Sequence, residues 1–233
     1  MPVFPTTALV TGGASGIGAA IAALLHDSGS TVEILDLVHG FDVSDPAAWE
    51  AVGPVELAVL NAGVATGERD IASLSDAAYR RTVSVNVDGV VLGARHMARV
   101  MRPGGVIVAT ASLAGLVPMA SDPIYTLTKH AVVGFVRSVA PQLEQRGIRI
   151  CAVAPGIVDT ALIGSSRQAL VEAGFPLLSP GEVARAALAA ARDAECGAIW
   201  AVQPGRQPEP MRVGGVPGPR DASGASVGAP PGA

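Results

Sequence analysis

Cysteine is scarce and basic charge thin in this 233-residue chain, and long apolar runs are missing. Its two cysteines, Cys151 and Cys196, and its four histidines fall at no repeated metal-ligand spacing. No metal site is expected, and both thiols read as free. Sixteen Lys and Arg against twenty Asp and Glu, with a net charge of −4, leave no electrostatic footprint for nucleic acid or an anionic membrane. No stretch of about 18 uninterrupted apolar residues occurs, and Met1–Pro5 lacks the charged start and apolar core of a secretory leader. A cytoplasmic location is therefore expected. What is plentiful is hydrophobic content, 49% of residues, enough for one sizeable α/β core over residues 1–203. Residues 204–233 form a Pro- and Gly-rich tail with no helical or strand period, expected to be disordered. Trp200, Met211, Val213 and Val216 are the apolar residues that could tether it, and an extended Pro-rich chain could also lie over a neighbour's active site.

Thr6–Thr11 is an apolar run suited to a buried parallel strand, and Gly12, Gly13, Ala14, Ser15, Gly16, Ile17 and Gly18 follow at once. Ile17, Ile21, Leu24 and Leu25 then recur at helical spacing, Ser28-Gly29 ends the helix, and Thr31–Asp36 reads as a second strand. Glycines in such a turn let the backbone approach a pyrophosphate, and the helix start offers free N–H groups at a positive dipole end. Asp36 closes the second strand, where its carboxylate can accept both adenosine ribose hydroxyls and would repel a 2′-phosphate. Leu37 follows it with no basic side chain, so the chain reads as using NAD rather than NADP.

Tyr125 and Lys129 stand four residues apart, on one face of a helix, and Ser112 lies thirteen residues before the tyrosine. A lysine beneath a phenol favours the phenolate, and each unit of pKa depression is about 1.4 kcal/mol of support for the ionised form. Taken alone, each of these residues has an ordinary structural explanation: an exposed helix pair, a strand-ending serine, a solvent-facing Asn86.

Taken in order, Thr11-Gly12-x-x-x-Gly16-Ile17-Gly18, Asn61-Ala62-Gly63, Asn86, Ser112, Tyr125-x-x-x-Lys129 and Pro155-Gly156 resemble the motifs of the short-chain dehydrogenases/reductases. The resemblance spans residues 6 to about 203, and Val158-Asp159-Thr160-Ala161 is similar to the NAD-linked 15-hydroxyprostaglandin dehydrogenase type. It implies a doubly wound Rossmann-type α/β fold with a parallel sheet, and an enzyme that interconverts a secondary alcohol and its ketone. In that reading Tyr125 takes the hydroxyl proton while hydride leaves for the nicotinamide, and Ser112 donates a hydrogen bond to the substrate oxygen. Lys129 lowers the tyrosine pKa and binds the nicotinamide ribose, and Asn86 holds a water that joins Lys129 to solvent. Gly12, Ser15, Gly16, Ile17, Gly18, Asp36, Asp42, Val43, Asn61, Ala62 and Gly63 would hold the adenosine and pyrophosphate, and Pro155, Gly156, Val158 and Thr160 the carboxamide. The resemblance also implies a homodimer or homotetramer joined through the helices over Ala77–Met101 and Tyr125–Gln145, the second of them interrupted by Pro141. Two alternatives stay open: a dinucleotide-binding sensor or scaffold without turnover, and an NADP-linked carbonyl reductase.

One departure is countable. Only five residues separate Asp36 from Asp42, whereas a parallel crossover needs about a dozen or more. The usual third strand should be missing or vestigial, leaving about six strands. Asp42 then either reaches the adenine or serves as a turn and cap residue before Ala47–Val52. Substrate contacts are expected from Ser112, Leu113, Val117, Met119 and Tyr125, and from a lid built of Leu162, Ile163, Leu170, Phe175, Leu177 and Leu178. Their apolar character points to a medium-sized hydrophobic alcohol or ketone, with Arg167 leaving room for a carboxylate.

Overall fold

Apolar residues alternate sides along every central strand, so both faces of the sheet must be covered. The computed structural model describes residues 5–164, 166–211, 220–223 and 225. In β1 (Thr7–Thr11) Ala8 and Val10 pack to one side and Leu9 to the other. The same alternation runs through β3 (Leu57–Leu60), β4 (Val106–Thr110) and β5 (Arg149–Pro155). With β2 (Thr31–Leu35), β6 (Ile199–Val202) and β7 (Glu209–Pro210) they form a sheet of order β2-β1-β3-β4-β5-β6-β7. All neighbours are parallel except β6 and β7. One face is covered by α1 (Gly16–Asp27) and α7 (Pro180–Asp193), whose Ile21, Leu25, Val183 and Ala187 are fully buried. The other is covered by α4 (Gly89–Val100) and α5 (Pro123–Glu144), through Met97, Val132 and Val136. None of these helices is long and apolar enough to cross a membrane.

The shortened interval after β2 folds as the residue count requires. Leu37–His39 makes a single 3-10 turn, Gly40 turns the chain at φ +83°, and Phe41 N–H returns to the Asp36 carbonyl at 3.0 Å. No strand pairs with the outer side of β2 among the described residues. The crossover helix shrinks to α2 (Pro46–Trp49), one turn capped by Asp45. Trp49 fills the space: it is 2% exposed, donates its indole N–H to the Val43 carbonyl at 3.0 Å and stacks edge-on to Phe41. Gly93 of α4 is needed beneath it, since a Cβ there would stand 2.8 Å from the indole and 2.7 Å from Leu60. Replacing Trp49 with Ala should cost about 3–5 kcal/mol of stability, read as a lower urea midpoint at unchanged m-value.

Three details depart from the sequence expectations. The tail does add a strand: Glu209 and Pro210 pair antiparallel with Ala201 and Trp200, and Met211 N–H reaches the Ile199 carbonyl at 2.7 Å. Edge pairing is made by main-chain groups, so a segment without apolar period can supply it, and proline is tolerated there. Val213 and Val216 lie outside the described residues. Pro141 does not interrupt α5, because it sits in the last turn and the helix continues to Glu144. The first long helix is one helical run but not regular throughout: α3 (Asp76–Val83) passes through a π-turn at Ser84–Asp88 before α4 begins.

Candidate active site

Parallel strands bring their carboxyl ends to one edge of the sheet, and every motif singled out above except Asn86, which sits in the π-turn before α4, follows such an end or opens the helix beside it. After β1, Gly12 and Gly16 adopt φ of +63° and +52°, which only glycine takes readily. A Cβ on Gly12 would stand 2.9 Å from the Ala62 backbone, and one on Gly18 would collide with the Gly12 carbonyl and approach the Asn61 amide to 2.7 Å. The turn is thus packed as tightly as its sequence allows. Ser15 is the N-cap of α1 but makes no cap bond with its side chain, so nothing of its own closes the first-turn N–H groups. Asp36 stands beside this turn and accepts from Ala14 N–H at 3.0 Å and Val38 N–H at 3.2 Å.

Asn61 is spent on holding strands together. Its amide donates to the carbonyls of Thr11 and Gly12 at 3.2 and 3.3 Å, and its oxygen accepts from Thr110 Oγ1 at 3.1 Å. Thr11 Oγ1 in turn accepts from the N–H groups of Asn61 and Ala62. Asn86, at the centre of the π-turn, is fully buried rather than solvent-facing. It exchanges both bonds with Val64, at 2.8 Å each, and donates to Thr128 at 3.0 Å. The chain between β3 and α3, which has no regular structure, is therefore tied down just beyond Gly63. A Cβ on Gly63 would lie 3.5 Å from Lys129 Nζ and 3.4 Å from Asn86 Oδ1.

Ser112, Tyr125 and Lys129 converge below this loop. Ser112 follows β4 by two residues, its Oγ accepts from Ala114 N–H at 3.1 Å, and its hydroxyl acts on the Tyr125 phenol to favour ionisation. Lys129 is 3% exposed, donates to the Thr110 carbonyl at 2.8 Å and stands 5.5 Å from the Tyr125 ring centroid. Burial pushes the Tyr125 phenol up to about 12, against the Ser112 hydrogen bond, which acts downward, and with the Asp122 charge, which acts upward. Burial also pushes the Lys129 ammonium down to about 8. The expectation that Lys129 holds a phenolate at neutral pH is not met by the protein groups alone. Desolvation disfavours the charged form of both partners, and the ammonium lies over the ring and on a carbonyl.

Around this centre the expected contacts divide. Thr160 comes to the glycine turn, its methyl 3.3 Å from where a Gly16 Cβ would be, and Leu113 reaches within 3.6 Å of the corresponding point on Gly156. Gly156 N–H bonds the Val202 carbonyl, and Pro155 ends β5 beside Ser112. Ile17 and Met119 are half-buried, and Ile163 is half-buried beside Leu162, which is 45% exposed. Val43 is a core residue: it is 7% exposed, its side chain lies 2.7 Å from where a Gly89 Cβ would stand, and its carbonyl is taken by Trp49. Asp42 forms a turn, its Oδ1 accepting from Ser44 N–H and Oγ at 2.8 and 2.7 Å. Val158 and Leu178 bridge each other in the core at 7% and 1% exposure, so Leu178 is no part of a lid. Arg167, on α6 (Ser166–Glu172), is held by Asp159 with two bonds of 2.6 and 2.7 Å in an exposed pair. The sequence reading missed this pair, as it missed Thr110 and Asp122, and it gave Thr11 a place in the motif without its part in holding Asn61 and Ala62. A cavity of about 1110 Å³ opens at the opposite end of the strands, against Thr7, Leu57, Val106 and Arg149, and none of the residues above lines it.

Comparison with known proteins agrees with this geometry. Residues 44–170 match the family described as short chain dehydrogenase. The chain is 35% identical to cis-4-hydroxycyclohexanecarboxylate dehydrogenase of Sinomonas cyclohexanicum over 85% of its own length and 95% of that protein. It is 33% identical to (+)-borneol dehydrogenase 1 of Salvia officinalis, covering 80% and 86% of the two chains. The crystal structure of a short chain dehydrogenase from Burkholderia cenocepacia J2315 in complex with NADP superposes with a TM-score of 0.74 at 28% identity, over 84% of this chain and 95% of that one. The likeness to the 15-hydroxyprostaglandin dehydrogenase type rests on residues 158–161 alone.

Proposed function

This chain belongs to the short-chain dehydrogenase family, and from that footing we propose that it interconverts a hydrophobic, ring-bearing secondary alcohol and its ketone with NAD. The observation that carries the reading is the convergence of Ser112, Tyr125 and Lys129 beneath the loop held by Asn86. A bound oxidised dinucleotide supplies the hydride acceptor and a cationic ring. Gly12, Ser15, Gly16 and the uncapped start of α1 fit its pyrophosphate, and Asp36 its adenosine ribose.

Ser112 orients the carbinol oxygen and stabilises the charge that develops on it. Tyr125 takes the hydroxyl proton as its own phenolic proton leaves on the Lys129 side, and Lys129, whose proton is held loosely by burial, releases one to solvent on the Asn86 side, so one proton leaves the site for each one taken from the alcohol. The apolar character of Leu113, Met119, Leu162 and Ile163 favours a substrate with a hydrophobic body. The names of the two relatives, a borneol and a hydroxycyclohexane acid dehydrogenase, support a cyclic alcohol. The test is a panel of cyclic secondary alcohols and ketones assayed with each dinucleotide; no turnover on any of them, with intact folding, would leave the sensor reading standing.

Cofactor choice rests on Asp36. A 2′-phosphate would meet its carboxylate with exposed Leu37 and Val38 beside it and no arginine. Like charges at contact distance cost about 1–4 kcal/mol near a protein surface, so NADH should bind about tenfold or more tightly than NADPH. Fluorescence titration of both reduced dinucleotides reads this directly, and tighter NADPH binding reverses the assignment.

A further inference from the structure

Among the described residues four α-helices carry a side-chain N-cap, and three of them behave alike. Asp45, Ser75 and Ser179 are exposed, and each accepts from an amide of its own helix. Asp122, the cap of α5, is different: it is 5% exposed and satisfies three main-chain N–H groups from two separate segments. Its Oδ1 accepts from Tyr125 N–H at 2.8 Å, and its Oδ2 from Thr66 N–H at 2.8 Å and Gly67 N–H at 3.0 Å. A serine or asparagine would cap the helix as well, so capping does not account for a buried charge. Burying a carboxylate is unfavourable unless its oxygens are hydrogen-bonded, and here the loop supplies the bonds to the second oxygen.

We propose that Asp122 is a positioning residue of the active site, locking the first turn of the helix that carries Tyr125 and Lys129 to the loop that crosses above them. The proposal rests on the oxidoreductase reading. Asn86 fixes that loop at Val64 and Asp122 fixes it at Thr66 and Gly67, so the two buried side chains pin it at both ends of a four-residue stretch. Gly63, just upstream, lies against Lys129 Nζ; releasing Thr66 and Gly67 frees the roof of the site. Asp122 acts by charge as well as by geometry. Three groups face the Tyr125 side chain: Ser112, whose hydrogen bond favours ionisation; the Lys129 ammonium, 5.5 Å from the ring centroid; and the Asp122 carboxylate, which opposes ionisation.

The chain holds two tyrosines, so Tyr79→Phe leaves Tyr125 alone, and its tyrosinate absorbance can be titrated without turnover. In that background, Asp122→Asn and Asp122→Ser keep an oxygen that can cap the helix while removing the charge and the acceptor for the loop. Both should shift the Tyr125 titration to lower pH and move the acid limb of kcat/KM the same way. KM for the alcohol should rise about tenfold, with a smaller fall in kcat. An unmoved titration with an unmoved KM in variants that fold overturns the proposal. So does loss of far-ultraviolet circular dichroism in both variants, which would make the aspartate a folding residue only. Should the parent protein turn over no alcohol while the titration still shifts, the redox reading fails and the coupling of Asp122 to Tyr125 stands. Turnover in the parent with an unmoved titration separates the opposite case.

Discussion

Tyr125→Phe should lower kcat/KM for alcohol oxidation by about 10²–10⁴-fold, the range seen when a general base is removed, while dinucleotide affinity stays within a few-fold. The substitution deletes one oxygen from a half-buried ring whose position is set by α5 and not by the hydroxyl. Folding should therefore survive. Steady-state rates with the best alcohol of the panel, alongside NADH titration of the same preparation, separate the two quantities. Turnover retained within tenfold would remove the base from Tyr125. The pH profile adds a second reading: with the phenol pushed up to about 12 in the protein alone, oxidation by the wild type should climb with pH through the neutral range, and the variant's residual rate should not follow it.

Lys129→Met should trade activity for stability. Burial shifts the ammonium from its ordinary 10.5 down to about 8, which corresponds to roughly 3 kcal/mol of penalty for the charged form at neutral pH. The sign follows from proton counts. Between pH 8 and 10.5 the unfolded chain holds a proton at Lys129 that the folded chain has lost, so the stability contribution rises with pH and is complete above 10.5. Tyr125 runs the other way: its folded value of about 12 exceeds its ordinary 10.0, and its contribution, complete below pH 10.0, is lost as pH rises through 12. A methionine removes the first effect and leaves the Thr110 carbonyl without its donor, which returns about 1 kcal/mol. The net expectation at pH 7 is a gain of about 1–2 kcal/mol, a rise of a few degrees in Tm, with turnover reduced about 10²-fold or more. Thermal melts of both proteins from pH 6 to about 11 should converge as Lys129 loses its charge. Parallel curves over that range would contradict the buried-ammonium account. Lys129 is the only lysine in the chain, so an isotope-labelled methyl group introduced by reductive alkylation reports its titration with only the terminal amine beside it.

The first strand was legible because an apolar run covered on both faces needs no context, and β1 and β2 fall within a residue of their expected bounds. The missing third strand was legible for a geometric reason, five residues being too few to return along a strand. What stayed hidden was set by burial and by contacts between distant segments. Nothing local distinguishes Asp122 from Asp45, since both precede a proline at a helix start; only folding brings Thr66 and Gly67 to one of them. Asn86 read as a polar residue in a helix, and its burial follows from the π-turn, which the apolar pattern does not announce. The phenol's ionisation was misjudged from the i, i+4 spacing because spacing reports proximity and says nothing of desolvation. Val43 and Leu178 were assigned to ligand contacts on position in a motif or a lid, whereas each faces the core.

A sheet that stops one strand early has a rim to defend. The outer side of β2 offers a ladder of main-chain donors and acceptors to any passing extended chain, and Ile34 adds apolar surface there. Glu33, exposed in the middle of that five-residue strand, sets a negative charge where a second molecule would have to dock edge to edge. Shortening the crossover therefore leaves Glu33 as the charged side chain of a strand whose outer side is unpaired among the described residues.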